Sequence, residues 1–375
     1  MNNIRKLFFI CSCFFLLASC SGETHETNEP VQPDSDSELE SDEHPLVTEK
    51  VLKPLNIKEN SFMRVIDWID SENVLILSKG EDGNQLIGYN IFTGDQRIIY
   101  SSPEFIVEAQ LGPDRKKLLV HTAPLTYSAT AVVIDLEGEV LFQKDIDSYE
   151  IAFEWNEGNS DLLFITSFSE DWSFNTLLAN ISEGTLTEVN AEQPFIKWHQ
   201  ENSFLYQEWP EDSISLTAPL YSQNLYSEER TLVERETLLF DTMNPYILSI
   251  TMSNEVDGSG VYKFITEEGT IASTFMTPLL SSYSNWMIPY YDKIDTEGTF
   301  VSLTASESMP ADTYNGKFTL ERWNIETGQR EEILAGFDNE PLQCSPEGDY
   351  CLTGYELKTA VDLTNKEAVE LIIIE

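Results

Sequence analysis

The sequence predicts an all-β fold, a β-propeller of four-stranded blades, and three observations carry that expectation. Seven similar units of about 45 residues follow one another along the chain. Each runs through the same order: an aromatic or apolar entry, a polar turn, an apolar run, a loop, an alternating strand, a Gly or polar turn and a short last strand. Scarcely any helical periodicity separates them.

The units are clearest where a tryptophan marks them. "VIDWIDSENVLILSKGEDGNQLIGYNIFTGDQRIIY" from Val65 compares with "AFEWNEGNSDLLFITSFSEDWSFNTLLANISEGTLTEV" from Ala152. "AQLGPDRKKLLVHTA" from Ala109, "FIKWHQENSFLYQEW" from Phe195 and "LQCSPEGDYCLTGYE" from Leu342 share the opening turn. The units near Leu239 and Pro289 are more degenerate. Trp68, Trp155 and Trp198 recur at one point in the unit, as core residues do. A single four-stranded sheet leaves both faces wet, whereas radial stacking buries each sheet on its neighbours and leaves only short edges. Two β-sandwiches in tandem are the competing architecture.

Before the repeats lies an address. Arg5 and Lys6 precede an apolar stretch, 7–17, of signal-peptide length. The residues Leu17-Ala18-Ser19-Cys20 resemble the lipobox of bacterial lipoproteins, which implies cleavage before Cys20 and lipid on its thiol. An ordinary secretory signal with a stray cysteine is the other reading. One acyl chain holds a protein to a bilayer only marginally, and two or three hold it stably. Residues 21–50 carry ten Asp or Glu, one Lys and no aromatic residue, so they cannot bury enough apolar surface to order themselves. They read as an extended spacer, or else as an acidic docking tail. The organisation is therefore signal peptide 1–19, lipidated Cys20 with a disordered acidic tether to 50, and propeller 51–375. The expected location is the outer face of a cell membrane.

"LGPDRKKLLV" and "CSPEGDYCL" resemble the turns of TolB-type propellers. Together with the lipobox and acidic tether, the chain from about Phe62 onward resembles the YqgU-like propeller lipoproteins of Gram-positive bacteria. That resemblance implies six blades, which would make one degenerate unit an insertion or a unit shared in ring closure. The family is described by fold, so the resemblance implies no catalytic residue.

The formal net charge is −43, and hydrophobic residues make up 41%, with 20 Phe, 15 Tyr and 7 Trp supplying a real core. Such a charge repels nucleic acid and anionic lipid and favours cations or basic partners. Surface acidity suited to a salty or alkaline habitat is the blander account. Once the signal is removed, Cys344 and Cys351 are the thiols left besides Cys20, seven positions apart around a tight turn. They are compatible with a disulfide, or with two small buried apolar side chains.

Most catalytic constellations are missing. Of four histidines, His25 and His44 fall in the tether, leaving His121 and His199, too few for a three-histidine zinc site. No Gly-x-Ser-x-Gly elbow, Gly-rich phosphate loop, EF-hand spacing or Cys-x-x-Cys pair occurs. Paired carboxylates and an incidental Ca²⁺ site stay open in so acidic a chain, and no other cofactor is expected.

The loops between second and third strands are long and carry aromatics beside acids. Tyr127, Trp172, Trp209 and Tyr314 break the core register there, next to Asp171, Glu208, Asp212 and Asp312. They are the candidate ligand or partner contacts, unless the rings merely lid the blades and the acids are only solvated. The preferred function is a non-enzymatic binding or scaffolding propeller for a protein or glycan ligand. The alternatives are a carboxylate-dependent glycosidase or lyase, and a solute-binding component for a membrane permease.

Overall fold

The computed structural model describes residues 50–375 apart from 126, 211–213, 228, 284 and 295–297. Cys20, the signal peptide and the tether up to 49 lie outside the described residues, as does Asp212.

Seven four-stranded antiparallel sheets follow one another, and each uses four consecutive strands. Blade 1 spans 62–102, blade 2 106–147, blade 3 150–189, blade 4 197–237, blade 5 239–278, blade 6 291–337 and blade 7 342–370. First strands of blades 1 and 2, 3 and 4, 4 and 5, 6 and 7, and 7 and 1 touch, so the first strands form the inner wall of a closed ring. The described residues contain no α-helix. Burial in the second strands explains the apolar runs: Asn73–Gly80 and Leu162–Phe168 are covered on both faces because each blade has a neighbour on either side.

The units near Leu239 and Pro289 are complete blades, neither inserted nor shared. Their degeneracy has a physical cause. In blades 5 and 6 the aromatic mass has moved off the first strand. Phe275 on a fourth strand lies flat against Tyr262, with centroids 5.2 Å apart, and against Trp323 on a third strand, 4.0 Å apart. The seam is as full as elsewhere, but its bulky residues stand at other places in the repeat.

Trp68 and Trp198 bolt adjacent blades together. Trp68 Nε1 donates to the Gln343 carbonyl at 3.0 Å, and Trp198 Nε1 to the Glu154 carbonyl at 3.1 Å. Each indole thereby satisfies a carbonyl of the preceding blade's first strand while its rings fill the seam. Trp198 also stacks on Phe164 with centroids 4.0 Å apart.

Two short pairs lie outside the blades. Strand Leu55–Ile57 pairs in parallel with Ile372–Ile374, and Leu55 and Ile372 join the core between blades 7 and 1. Ring closure therefore rests on blade packing and this terminal clasp. A hairpin, Leu280–Ser282 with Asn285–Met287, projects from the link between blades 5 and 6.

Cys344 and Cys351 face each other on the first two strands of blade 7 and form a disulfide. It closes a small loop, so replacing both by alanine is expected to cost about 2 kcal/mol of unfolding free energy in urea denaturation. Equal stability of the oxidised and reduced wild type would contradict this.

Candidate functional site

Connections between second and third strands, and between consecutive blades, emerge on one face of the ring; turns joining first to second strands emerge on the other. Each face carries one distinctive feature.

On the first face an aromatic row crosses blades 2 to 4. Ring centroids run Tyr127–Tyr149 6.0 Å, Tyr149–Trp172 6.4 Å, Trp172–Phe168 6.0 Å and Phe168–Phe195 5.7 Å. Phe168 is buried, whereas Trp172 is 64% and Phe195 69% exposed. Trp172 is held out by its loop. Ser169 N–H donates to the Ser173 carbonyl at 2.8 Å, and Trp172 N–H donates to the Ser169 carbonyl at 3.0 Å. The Asp171 carboxylate accepts from Ser173 N and Oγ at 3.0 and 2.6 Å, which holds its pKa below the usual carboxylate range. Trp172 sits at φ 65°, a left-handed conformation that a bulky residue rarely adopts unless its surroundings impose it.

The other predicted contacts lie elsewhere on this face. Glu208 pairs with Arg230 at 2.6 Å, and that guanidinium also reaches Glu192 and the Tyr206 hydroxyl. Trp209 beside it is 40% exposed. Tyr314 is tied into its own loop: its hydroxyl donates to the Lys317 carbonyl at 3.1 Å and accepts from Ser306 N–H at 3.2 Å, and its ring packs on Phe318. That loop leans on the projecting hairpin through Ser281 N–H to Met309 O and Ala311 N–H to Ser281 O, leaving Asp312 exposed. The structure brings Tyr127, Asp171 and Trp172 together and leaves the blade 4 and blade 6 candidates apart from the row.

The second feature is the channel. One first-strand position in every blade carries a polar residue: Asp67, Gln110, Glu154, Lys197, Asp241, Asp292 and Gln343. Each pairs across its sheet with the second-strand residue that packs toward the following blade. Lys197 Nζ lies 3.1 Å from Glu154 and 3.4 Å from Asp241, joining blades 3, 4 and 5. Tyr291 donates its hydroxyl to Asp241 at 3.2 Å. Asp292 accepts Cys344 N–H at 2.6 Å, and Asp67 lies 3.6 Å from Arg115. Lys293 and Glu157 pair between blades 6 and 3. Many of these residues line a cavity of about 810 Å³ whose rim includes Gly112, Pro113, Asn244 and Pro245, all in turns of the second face.

Burial pushes the Glu154 carboxyl up to about 7, with Asp241 and Glu157 adding to the rise against the pull of Lys197. One lysine offsets one carboxylate, and the carboxylates around Lys197 hold its own pKa up despite burial. Asp292 is likewise raised to about 7, chiefly by burial and also by the charge of Asp67, and Asp67 is raised by burial against the opposing effect of Arg115. No group of three or more His, Cys, Asp or Glu able to hold a metal ion occurs among the described residues.

Residues 90–354 match the family described as the YqgU-like six-bladed β-propeller domain. The chain belongs to the YqgU-like propeller family. Across 308 residues it is 29% identical to the "Uncharacterized lipoprotein YqgU" of Bacillus subtilis strain 168, covering 82% of this chain and 83% of that protein. Among solved structures, the Listeria monocytogenes EGD-e protein lmo1340 superposes with a TM-score of 0.81 at 22% identity, covering 87% of this chain and 98% of that one. The propeller domain of the trilobed protease of Pyrococcus furiosus, described as having an open velcro topology, gives 0.54 at 14% identity over 83% of this chain and 98% of that one. Both likenesses concern fold. The match for this YqgU-like chain contains blades 2 to 6 whole and ends within blade 7, and the full ring has seven blades.

Sequence reasoning passed over Tyr149 and Phe195. Tyr149 stands one residue before a first strand, as do Phe105 and Tyr290, Phe195 stands two residues before one, and all four are exposed. An aromatic recurring just outside the strand was the available signal. It also passed over the polar ring, whose members stand immediately before the Trp68, Trp155 and Trp198 markers and their counterparts.

Proposed function

We propose that the chain is a membrane-anchored, extracytoplasmic lipoprotein whose propeller captures a ligand on the aromatic row. The lipobox-like Leu17-Ala18-Ser19-Cys20 and the lipoprotein relative support the anchor. One observation carries the binding face: Trp172, held at a left-handed φ and 64% exposed, stands in a row of rings seated on buried Phe168. Rigid, solvent-facing aromatics lose little entropy on contact and are the commonest energetic anchors of binding surfaces.

Crosslinking in intact cells tests this. Replacing Tyr127, Tyr149, Trp172 and Phe195 by alanine is expected to abolish at least tenfold of the capture seen with wild type, while the thermal midpoint moves little because these side chains face solvent. Undiminished capture would remove the row from the function.

The channel supports a second reading. A carboxyl ionising at about 7 beside other carboxylates in a roomy cavity is what acid–base chemistry on a glycan needs. Turnover of a wall-polysaccharide panel that falls at least a hundredfold in Glu154→Gln would establish it. No turnover by wild type would dismiss it.

A further inference from the structure

Resting on the aromatic row as the docking face, we infer that its occupant is a protein surface with an apolar knob ringed by lysine or arginine. Two kinds of observation lead there.

The first is the chemistry of the rings. Phe195, 69% exposed, ends the row on one side, and Leu125, 72% exposed, stands on the hairpin that carries Tyr127 at the other, and neither side chain offers a hydrogen bond. A saccharide presents hydroxyls in every direction, so its sites alternate ring platforms with many donors and acceptors. An apolar side chain of a partner protein is satisfied by rings and aliphatic groups alone. The row is also preorganised: Phe168 fixes its centre from below, and the hydrogen-bonded 169–173 loop fixes Trp172. A few rigid anchors inside a polar border are the usual anatomy of a protein–protein hot spot.

The second is charge. Segments 101–107, 122–125, 127–128, 145–150, 168–175 and 190–196 build this part of the face and contain no lysine or arginine. Glu104, Asp147, Glu150 and Glu170 lie exposed on them. Between margins set by Arg230 on one side and Lys58 and Lys79 on the other, this acidic stretch repels a second copy of the chain, anionic lipid headgroups and nucleic acid, and it steers a basic partner inward. Neutral glycan gains nothing from it.

The test uses the full chain, purified in detergent. The probe is a displayed library of random 12-residue peptides, selected on wild type and counter-selected on Trp172→Ala/Phe195→Ala. Selected peptides should combine aromatic or aliphatic residues with Lys or Arg. Their affinity should drop at least tenfold on the double variant, about fivefold on Glu104→Gln/Glu150→Gln/Glu170→Gln, and about tenfold between 50 and 300 mM salt. Peptides that are neutral or acidic, insensitive to salt, or retained by the double variant would overturn the inference, as would failure to select any. Soluble wall-glycan fragments form the second arm. Fragments that bind wild type and not the double variant would replace the protein occupant by a glycan while leaving the row as the docking face. Undiminished crosslinking by the quadruple variant described above would instead remove the docking face itself. Phe195→Lys is a separate check: its side chain is mostly in solvent, so the fold is kept, and the added positive charge should weaken basic peptides at least tenfold.

Discussion

Trp68→Ala is expected to lower the unfolding free energy by about 4 kcal/mol, read as a shift of the urea midpoint followed by circular dichroism. The side chain is fully buried in the seam that closes the ring, packed with Leu352 and Ala360 of blade 7 and with Leu55 of the clasp. Truncation leaves a cavity where no loop can collapse into it, and it strips the Gln343 carbonyl of its indole donor. Trp68→Phe keeps most of the volume and loses the hydrogen bond, so about 2 kcal/mol is expected. A loss under about 1 kcal/mol for the alanine variant would mean that the seam repacks, contrary to the close fit described.

The channel carboxyls make the second large effect one of pH. Glu154 and Asp292 ionise at about 7 in the folded protein, against about 4 in an open chain. The fold therefore holds their protons more tightly than the unfolded state does. Their stabilising contribution is complete below about pH 4 and is lost as the pH rises through about 7. Water in the channel reduces the effect, and on the order of 2–3 kcal/mol for the two together is expected. Asp114, Asp171, Glu234 and Glu331 have lowered values and act oppositely, contributing above about pH 4 and failing in acid. Thermal stability should thus peak at about pH 4–5 and fall as the pH rises through about 7. General self-repulsion of so acidic a chain slopes the same way, so the decisive comparison is Glu154→Gln, which should flatten the slope between pH 5 and 8 by about half. An unchanged slope in that variant, or a wild type that gains stability up to pH 8, would refute the assignment.

Much of the architecture was legible because one blade repeats one physical problem. Trp68, Trp155 and Trp198 announced the seams, and the Ser-Pro-Glu-Gly-Asp turn announced the cross-strand cysteines. Blades 5 and 6 were harder to read because Phe275 and Trp323 fill their seam from later strands, and no rule of spacing says which strand must supply the bulk. The site was less legible. Tyr127 and Trp172 broke the repeat and drew notice, whereas Tyr149 and Phe195 obeyed it and passed as entry residues. Tyr314 broke it too, yet its hydroxyl and ring are spent inside its own loop. The channel ring was hidden differently: a single polar residue per strand looks like solvated surface until closure brings seven of them to one axis.

The clasp between Leu55–Ile57 and Ile372–Ile374 has a mechanical consequence. Its two strands run side by side in the same direction, with Leu55 N–H bonded to the Leu371 carbonyl and Glu375 N–H to that of Ile57. Tension entering from the N-terminal end meets the contacts of Lys50 and Lys53 with blade 1 first, through Glu72, Tyr89 and Ile91, and only then this short pair. Both strands are held from the same end, so a pull peels the rungs in turn from Leu55 towards Ile57.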